Sequence, residues 1–346
     1  MHTPFCAKKC PYCDFYSLSY SSELANKFAD ETIRRLYLID EKFDTLYFGG
    51  GTPSLLGAEK ISKIIKSVSL SENAEITLES NPNIDFLKWK DSGINRLSLG
   101  MQSANEKELT FLGRKHSLSQ VEKSINSAKS IGIKNISLDL MIGIEGMSKD
   151  SLLRSIDFCE SQDVTHISSY MLKIEENTEF HKNRNILILP DDDYVSDLYL
   201  FMVEELEKRG YRQYEISNFS KENFESRHNL KYWNCEEYKA LGPSAHSFED
   251  GKRMFFPRDL NYYLEGNKAE FDSFGGDFEE FAMLKLRLSK GITRKDCQTF
   301  GEEYFNKMLK NTKKVPKDMI KFSNDKISLS PKGFLLSNSI ILTLLS

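Results

Sequence analysis

The chain has 346 residues, 40% hydrophobic and 28% charged, which is enough apolar material for a sizeable core. Its 47 basic and 51 acidic residues leave a net charge of -4 spread along the sequence, which argues against a general electrostatic grip on nucleic acid. No run approaches the roughly 18 apolar residues a membrane span requires, and no apolar leader precedes the first cysteines, so a cytoplasmic protein is expected.

In chain order, three thiols come first. Cys6, Cys10 and Cys13 form a C-x3-C-x2-C cluster, whereas Cys159, Cys235 and Cys297 are scattered singly and read as small buried hydrophobes. Soft thiolates concentrated in one loop suit zinc or an iron-sulfur cluster better than they suit core packing. Zinc would need a fourth ligand, His2 or Asp14. Three thiolates on a four-iron cluster instead leave one iron open to another ligand. Phe15 stands where a further C-x-C step would place a cysteine.

An amphipathic stretch over 23–41 leads into β-favouring runs at 45–48, 74–79, 96–99, 136–141 and 166–171. Helical patterns at 58–69, 84–92, 118–131 and 148–161 separate them. Strand starts about 30 residues apart match the βαβ unit, so a parallel sheet, open or closed into a barrel, is expected. Gly49-Gly50-Gly51-Thr52-Pro53, Glu79, Gln102 and Asp139 all fall at or just after strand carboxyl ends, the rim where such folds place their sites. The triple glycine is neither a Walker loop nor G-x-G-x-x-G; it serves a sharp turn or close approach of a polar ligand to the backbone.

A long helix over 191–209 follows, then a polar, aromatic region with few regular signals up to about Asp272. Gly275-Gly276 marks a boundary. Helices at 278–288 and within 293–309 and a hairpin over 319–329 around Asn324-Asp325 predict a small winged-helix-like module. Lys307, Lys310, Lys313, Lys314 and Lys317 read as a solvated helix face. The expected division is 1–190, a core barrel; 191–274, an extension of it; and 275–346, the C-terminal helical module.

The cysteine cluster, with aromatic Tyr12 before its last member, resembles the signature of the radical S-adenosylmethionine (SAM) superfamily. Within it, the chain is similar to the oxygen-independent coproporphyrinogen III oxidase family. The resemblance is carried by Pro4-Phe5-Cys6, by Tyr47-Phe48-Gly49-Gly50-Gly51-Thr52-Pro53-Ser54-Leu55 and by Glu79-Ser80-Asn81-Pro82. It continues through Asn95 to Ser103, Leu112-Gly113-Arg114 and Leu138-Asp139-Leu140-Met141. It implies an α/β fold, a partial (β/α)6 TIM-like barrel. It further implies a [4Fe-4S] cluster on Cys6, Cys10 and Cys13, with SAM on the open iron. By the same resemblance Gly50, Gly51 and Thr52 meet the methionine end, Glu79 and Arg114 its ammonium and carboxylate, and Gln102 and Asp139 the ribose hydroxyls. Those residue types suit the tasks, since a carboxylate accepts from hydroxyl or ammonium and arginine offers a planar fork.

The oxidase branch carries a longer N-terminal arm and a fourth cysteine two residues after the third; this sequence has neither. It resembles instead the HemW-type heme chaperone branch, whose H-N-x-x-Y-W pattern is matched by His228-Asn229-Leu230-Lys231-Tyr232-Trp233. That resemblance implies heme held by His228, Asn229, Tyr232 and Trp233, with His246 a second candidate ligand. Histidine is a common axial ligand, and Tyr and Trp offer flat apolar faces to a porphyrin. From the residues alone, a packed aromatic turn around a hydrogen-bonded histidine is the alternative. The implied role is a heme chaperone that passes heme to acceptor proteins, respiratory ones among them, touching membrane proteins only transiently and without coproporphyrinogen turnover. The alternative is a radical SAM oxidase that decarboxylates coproporphyrinogen III to protoporphyrinogen IX. A nucleic-acid-modifying enzyme is disfavoured by the balanced charge and the H-N-x-x-Y-W segment. The first barrel strand is confined to Met1-His2-Thr3-Pro4, so a weak first edge is expected unless the natural start lies upstream.

Overall fold

An eight-stranded sheet organises the chain in a computed structural model that describes residues 1–346. Its strands are β1 (His2–Thr3), β2 (Phe43–Gly50), β3 (Leu70–Ser80), β4 (Arg96–Gln102), β5 (Asn135–Ile142), β6 (His166–Met171), β7 (Arg212–Glu215) and β8 (Asn218–Ser220). They lie in the order β1-β2-β3-β4-β5-β6-β8-β7; the first six are parallel, and β8 runs antiparallel to both β6 and β7. The expected succession of βα units is therefore present, as the six parallel strands of a partial barrel.

Successive residues of a strand face opposite sides, and here the two sides differ in chemistry. Ile76 and Leu78, Leu97, Leu99 and Met101, Ile136, Leu138 and Leu140 turn outward and are buried. They pack under the helices Ser22–Leu36, Ala58–Lys66, Leu118–Ser130, Lys149–Ser161 and Asp192–Lys208. Each such side chain contributes about 1.5–3 kcal/mol on burial. The helices start where short polar side chains take up free backbone N–H groups. Ser117 with Gln120, and Ser148 with Ser151, form reciprocal boxes, and Asp191 caps the long helix. The alternate residues, Thr45 and Tyr47, Glu75, Thr77 and Glu79, Arg96 and Ser98, Ser137 and Asp139, His166 and Ser168, form a polar inner face. A closed eight-stranded barrel fills that space with Val, Ile and Leu; this sheet leaves it to groups that hydrogen-bond.

Several expectations are corrected. The helix expected over 84–92 is a single 3-10 turn, Phe86–Trp89. The Ser124 and Ser127 hydroxyls accept from the backbone N–H groups of Ile84 and Phe86, and Asp85 accepts from Leu87, so the segment is pinned by side chains rather than by its own helical bonds. The first helix ends at Leu36, not near Glu41. The region after the long helix is more regular than its composition suggests: β7 and β8 extend the main sheet, and His246–Glu249, Lys252–Phe255 and Glu270–Phe274 form an antiparallel sheet. Cys159 and Cys297 are buried as expected, but Cys235 is half-buried at φ +56°.

Within 275–346, helices Phe278–Lys285 and Glu302–Asn311 precede the hairpin Ile320–Phe322 and Lys326–Leu329. A third short strand, Ile292–Thr293, pairs with that hairpin, and helices Pro331–Leu335 and Ser337–Leu345 follow. The five lysines singled out above are exposed.

The first edge is short but covered. Beside β2, Gly49 and Gly51 donate to the carbonyls of Met1 and Thr3 at 3.0 and 2.8 Å; on the other side His2 donates to the Leu241 carbonyl at 2.8 Å. Gly242, at φ +103°, lies so close that an added Cβ would fall 2.1 Å from the His2 carbonyl oxygen. Gly242→Ala is therefore expected to cost more than about 1 kcal/mol, read as a lowered midpoint of thermal unfolding. An unchanged midpoint would show that this edge does not need the close approach.

Candidate functional site

The thiol loop is tied to the glycine rim through the backbone. Gly51 and Thr52 donate to the carbonyls of Thr3 and Phe5 at 2.8 and 2.7 Å, and a Cβ on Gly51 would stand 2.6 Å from the Phe5 oxygen. Gly50 takes φ +102° beneath the His2 ring. Only glycine lets the two segments meet this closely. The Thr52 hydroxyl consequently lies 3.6 Å from Cys6 Sγ. Cys6, Cys10 and Cys13 are free and half-buried, and the Cys13 N–H donates to the Cys10 carbonyl at 3.1 Å. Burial, with the neighbouring Cys10 and Cys6, pushes the Cys13 thiol up.

No three His, Cys, Asp or Glu side chains are gathered around one ion. The two residues considered for completing a zinc site are committed elsewhere: the His2 ring bonds the Tyr16 carbonyl at 2.8 Å, and Asp14 pairs with Arg258 at 3.0 Å. Three soft donors in one loop beside an open rim suit a multi-iron cluster with a free position better than a closed tetrahedral site.

Around the rim the expected residues gather. Arg114 donates through Nη1 to Asn81 at 2.6 Å and through Nε and Nη2 to the Tyr12 hydroxyl at 3.1 and 2.7 Å. Asn81 in turn donates to Thr52 at 3.3 Å. Gly100 lies under Gln102 and Arg114: its missing Cβ would be 3.0 Å from Gln102 Nε2 and 3.6 Å from Arg114 Nη2. Gln102 itself takes φ +68° at the end of β4. Glu79 accepts from the Tyr47 hydroxyl at 2.7 Å, and Asp139 accepts from Ser98 at 2.8 Å. Burial raises both carboxyls, Glu79 to about 7, aided by the nearby Asp139, and Asp139 to about 6. Asn81 and Tyr12, which hold Arg114 in place, were not picked out from sequence as site residues; both lie inside quoted motif segments, which was the available signal.

His228 lies toward the opposite, amino end of the strands. Its seven-residue helix, Arg227–Trp233, is capped by Ser226, and the Glu75 carboxylate accepts from the N–H groups of Arg227 and His228 at 3.1 Å each. The ring's two nitrogens meet Thr45 Oγ1 and the Tyr232 hydroxyl, both at 2.8 Å. The ring stacks on Tyr47, centroids 5.0 Å apart and planes 19° from parallel. Burial lowers His228 to about 3, so it is neutral. Tyr232 is exposed and meets Tyr238 edge-on; Asn229 and Trp233 are half-buried on the same helix. Met1, Leu36, Ile39, Phe43, Val68 and Leu241 line a cleft of about 50 Å³ beside His228. His246 is exposed, stacks on Phe255 in the three-stranded sheet and does not line this cleft.

Known proteins resemble this chain in family and fold. The Radical SAM superfamily model matches residues 1–159. The chain is 30% identical over 358 residues to the heme chaperone HemW of Lactococcus lactis, covering 98% of this chain and 94% of that protein. It is 32% identical to HemW of Bacillus subtilis, covering 98% and 97%, and 34% identical over 322 residues to HemW of Escherichia coli, covering 85% and 83%. Among solved structures, the coproporphyrinogen III oxidase HemN of Escherichia coli superposes with a TM-score of 0.84 at 19% identity, covering 100% of this chain and 89% of that one.

The raised Glu79 carboxyl has a definite consequence for stability. Its folded form keeps a proton from the ordinary value of 4.5 up to about 7, so the stability it contributes is complete at low pH and is lost as pH rises through that window. Glu79→Gln in the ligand-free protein is expected to raise the unfolding midpoint relative to the parent increasingly from pH 5 to pH 8. A difference that is flat across that range would contradict the burial of this carboxyl.

Proposed function

Because the chain belongs to the radical SAM superfamily and, within it, to the HemW family of heme chaperones, we propose that it binds heme and hands it to acceptor proteins while carrying a SAM-bound [4Fe-4S] cluster. The single observation that carries this reading is the seat of His228: a neutral histidine in an H-N-x-x-Y-W helix, on the inner face of the barrel and beside an apolar cleft. In this proposal Cys6, Cys10 and Cys13 hold the cluster. Gly50, Gly51 and Thr52 receive the methionine end of SAM, Glu79 and Arg114 its ammonium and carboxylate, and Gln102 and Asp139 its ribose hydroxyls. When bound, the cluster and SAM supply a redox-active centre at the rim. The chain's own residues position and exclude. Tyr12 and Asn81 hold the Arg114 fork, Tyr47 and Ser98 hold the two carboxylates, and His228 releases Tyr232 to offer Nε2 to iron while Thr45 keeps Nδ1. Asn229, Tyr232 and Trp233 flank the ligand. Phe15, 61% exposed where the oxidase pattern has a cysteine, is the feature that favours heme handling over porphyrinogen oxidation.

Two assays on one anaerobically reconstituted preparation test this. Hemin titration followed by the Soret band is expected to reach one heme per chain, with no decarboxylation of coproporphyrinogen. His228→Ala is expected to weaken hemin binding by about tenfold or more. Coproporphyrinogen decarboxylation coupled to 5'-deoxyadenosine release would instead make the protein an oxidase. Hemin binding untouched by His228→Ala would remove that residue as the iron ligand.

A second set of variants addresses the rim. Tyr12→Phe removes the two hydrogen bonds to Tyr12, leaving only Asn81 on the Arg114 fork, and is expected to weaken SAM binding several-fold while leaving iron content unchanged, measured by calorimetry and iron analysis. Equal SAM affinity in parent and variant would separate Arg114 from SAM.

A further inference from the structure

Two donors on the inner face of the sheet are left without acceptors. Arg96, the first residue of β4, is 2% exposed, and its enclosed Nε–H meets no partner. Thr77, fully buried, is its register partner on β3, and the Thr77 hydroxyl is likewise enclosed and unpaired. Both point inward by the two-residue strand period: Arg96 precedes Ser98, which reaches Asp139, and Thr77 precedes Glu79, which Tyr47 reaches. The two therefore stand side by side on the wall between the rim and His228.

None of the surrounding carboxylates hydrogen-bonds this guanidinium: Asp139 feels its charge, but each is held by another group. Glu79 is held by Tyr47, Asp139 by Ser98, Glu215 by Asn218 and the Ser217 N–H, and Glu75 by the His228 helix. A buried guanidinium whose N–H groups find no acceptor is unfavourable even with a carboxylate in the neighbourhood. A planar fork beside a hydroxyl matches one ligand chemistry above others, a carboxylate.

We propose that Arg96 and Thr77 form a carboxylate subsite on the barrel wall that takes a peripheral propionate of the bound tetrapyrrole and so orients its ring against His228. This rests on the heme-binding reading above. The buried fork fixes which edge of the ring enters first. Thr77 adds a second donor to the same carboxylate.

The test compares hemin with hemin dimethyl ester, in which both propionates are masked, on the full-length reconstituted protein. The parent is expected to prefer hemin by about tenfold or more. Arg96→Met and Thr77→Val should bring that ratio towards one by losing hemin affinity alone. Arg96→Met should also leave the unfolding midpoint of the ligand-free protein equal or higher, because an apolar chain replaces a buried cation that makes no hydrogen bond. If Arg96→Met does not fold, Arg96→Lys keeps the charge without the fork and should give a ratio below the parent's. A ratio unchanged in these variants, as when only water occupies the subsite, overturns the proposal and leaves heme binding intact. Equal losses for both ligands with a lowered midpoint overturn it in favour of a structural arginine. A parent that binds neither ligand overturns the heme reading and the subsite with it.

Discussion

A strand turns alternate side chains to opposite faces, and six parallel strands in register extend that local fact into two surfaces. The outer surface is Ile, Leu and Met, and its burial under helices supplies the apolar core. The inner surface collects hydroxyls, carboxyls, a guanidinium and two imidazoles. The partition is costly, since the inner groups give up water and must find one another. Ser137 with His166, Ser98 with Asp139, and Tyr47 with Glu79 show how most of them do. A fold built only for stability would have filled this space with branched aliphatics.

Much of this was legible in the sequence, for reasons that differ by residue. The spacing of the β-favouring runs gave away the parallel sheet, because a βα unit has a nearly fixed length. Glu79, Gln102 and Asp139 stood out because strand ends are where chemistry collects. Phe86–Trp89 was misread as helix because its apolar spacing is helical; the serines that pin it come from a helix some forty residues away. The strands within 212–274 were missed because they are three to five residues long and carry exposed aromatics such as Phe271 and Phe274. Arg96 lay in plain view inside a quoted motif. Its lack of a partner is a property of three dimensions that no spacing encodes.

Tyr47 joins the two ends of the inner face. Its hydroxyl belongs to Glu79 and its ring to His228, so neither residue can change its state without the other's partner being disturbed. Coupling of this kind is reciprocal by thermodynamic necessity: a ligand that draws on Glu79 and one that draws on His228 alter each other's affinity by the same factor. Tyr12 plays the matching part at the rim, where one phenol sits between the thiol loop and the Arg114 fork.

The two-residue first strand, held between β2 and the Leu241–Gly242 segment, also sets an order of events during folding. The loop that carries the three thiols is made long before the Leu241–Gly242 segment that forms one wall of its seat. Joining segments so far apart in sequence carries a large loop-closure cost and comes late. Until then the thiols are exposed to whatever metal or oxidant the nascent chain meets. Free thiols are best kept from oxidation by a reducing environment until the seat is complete.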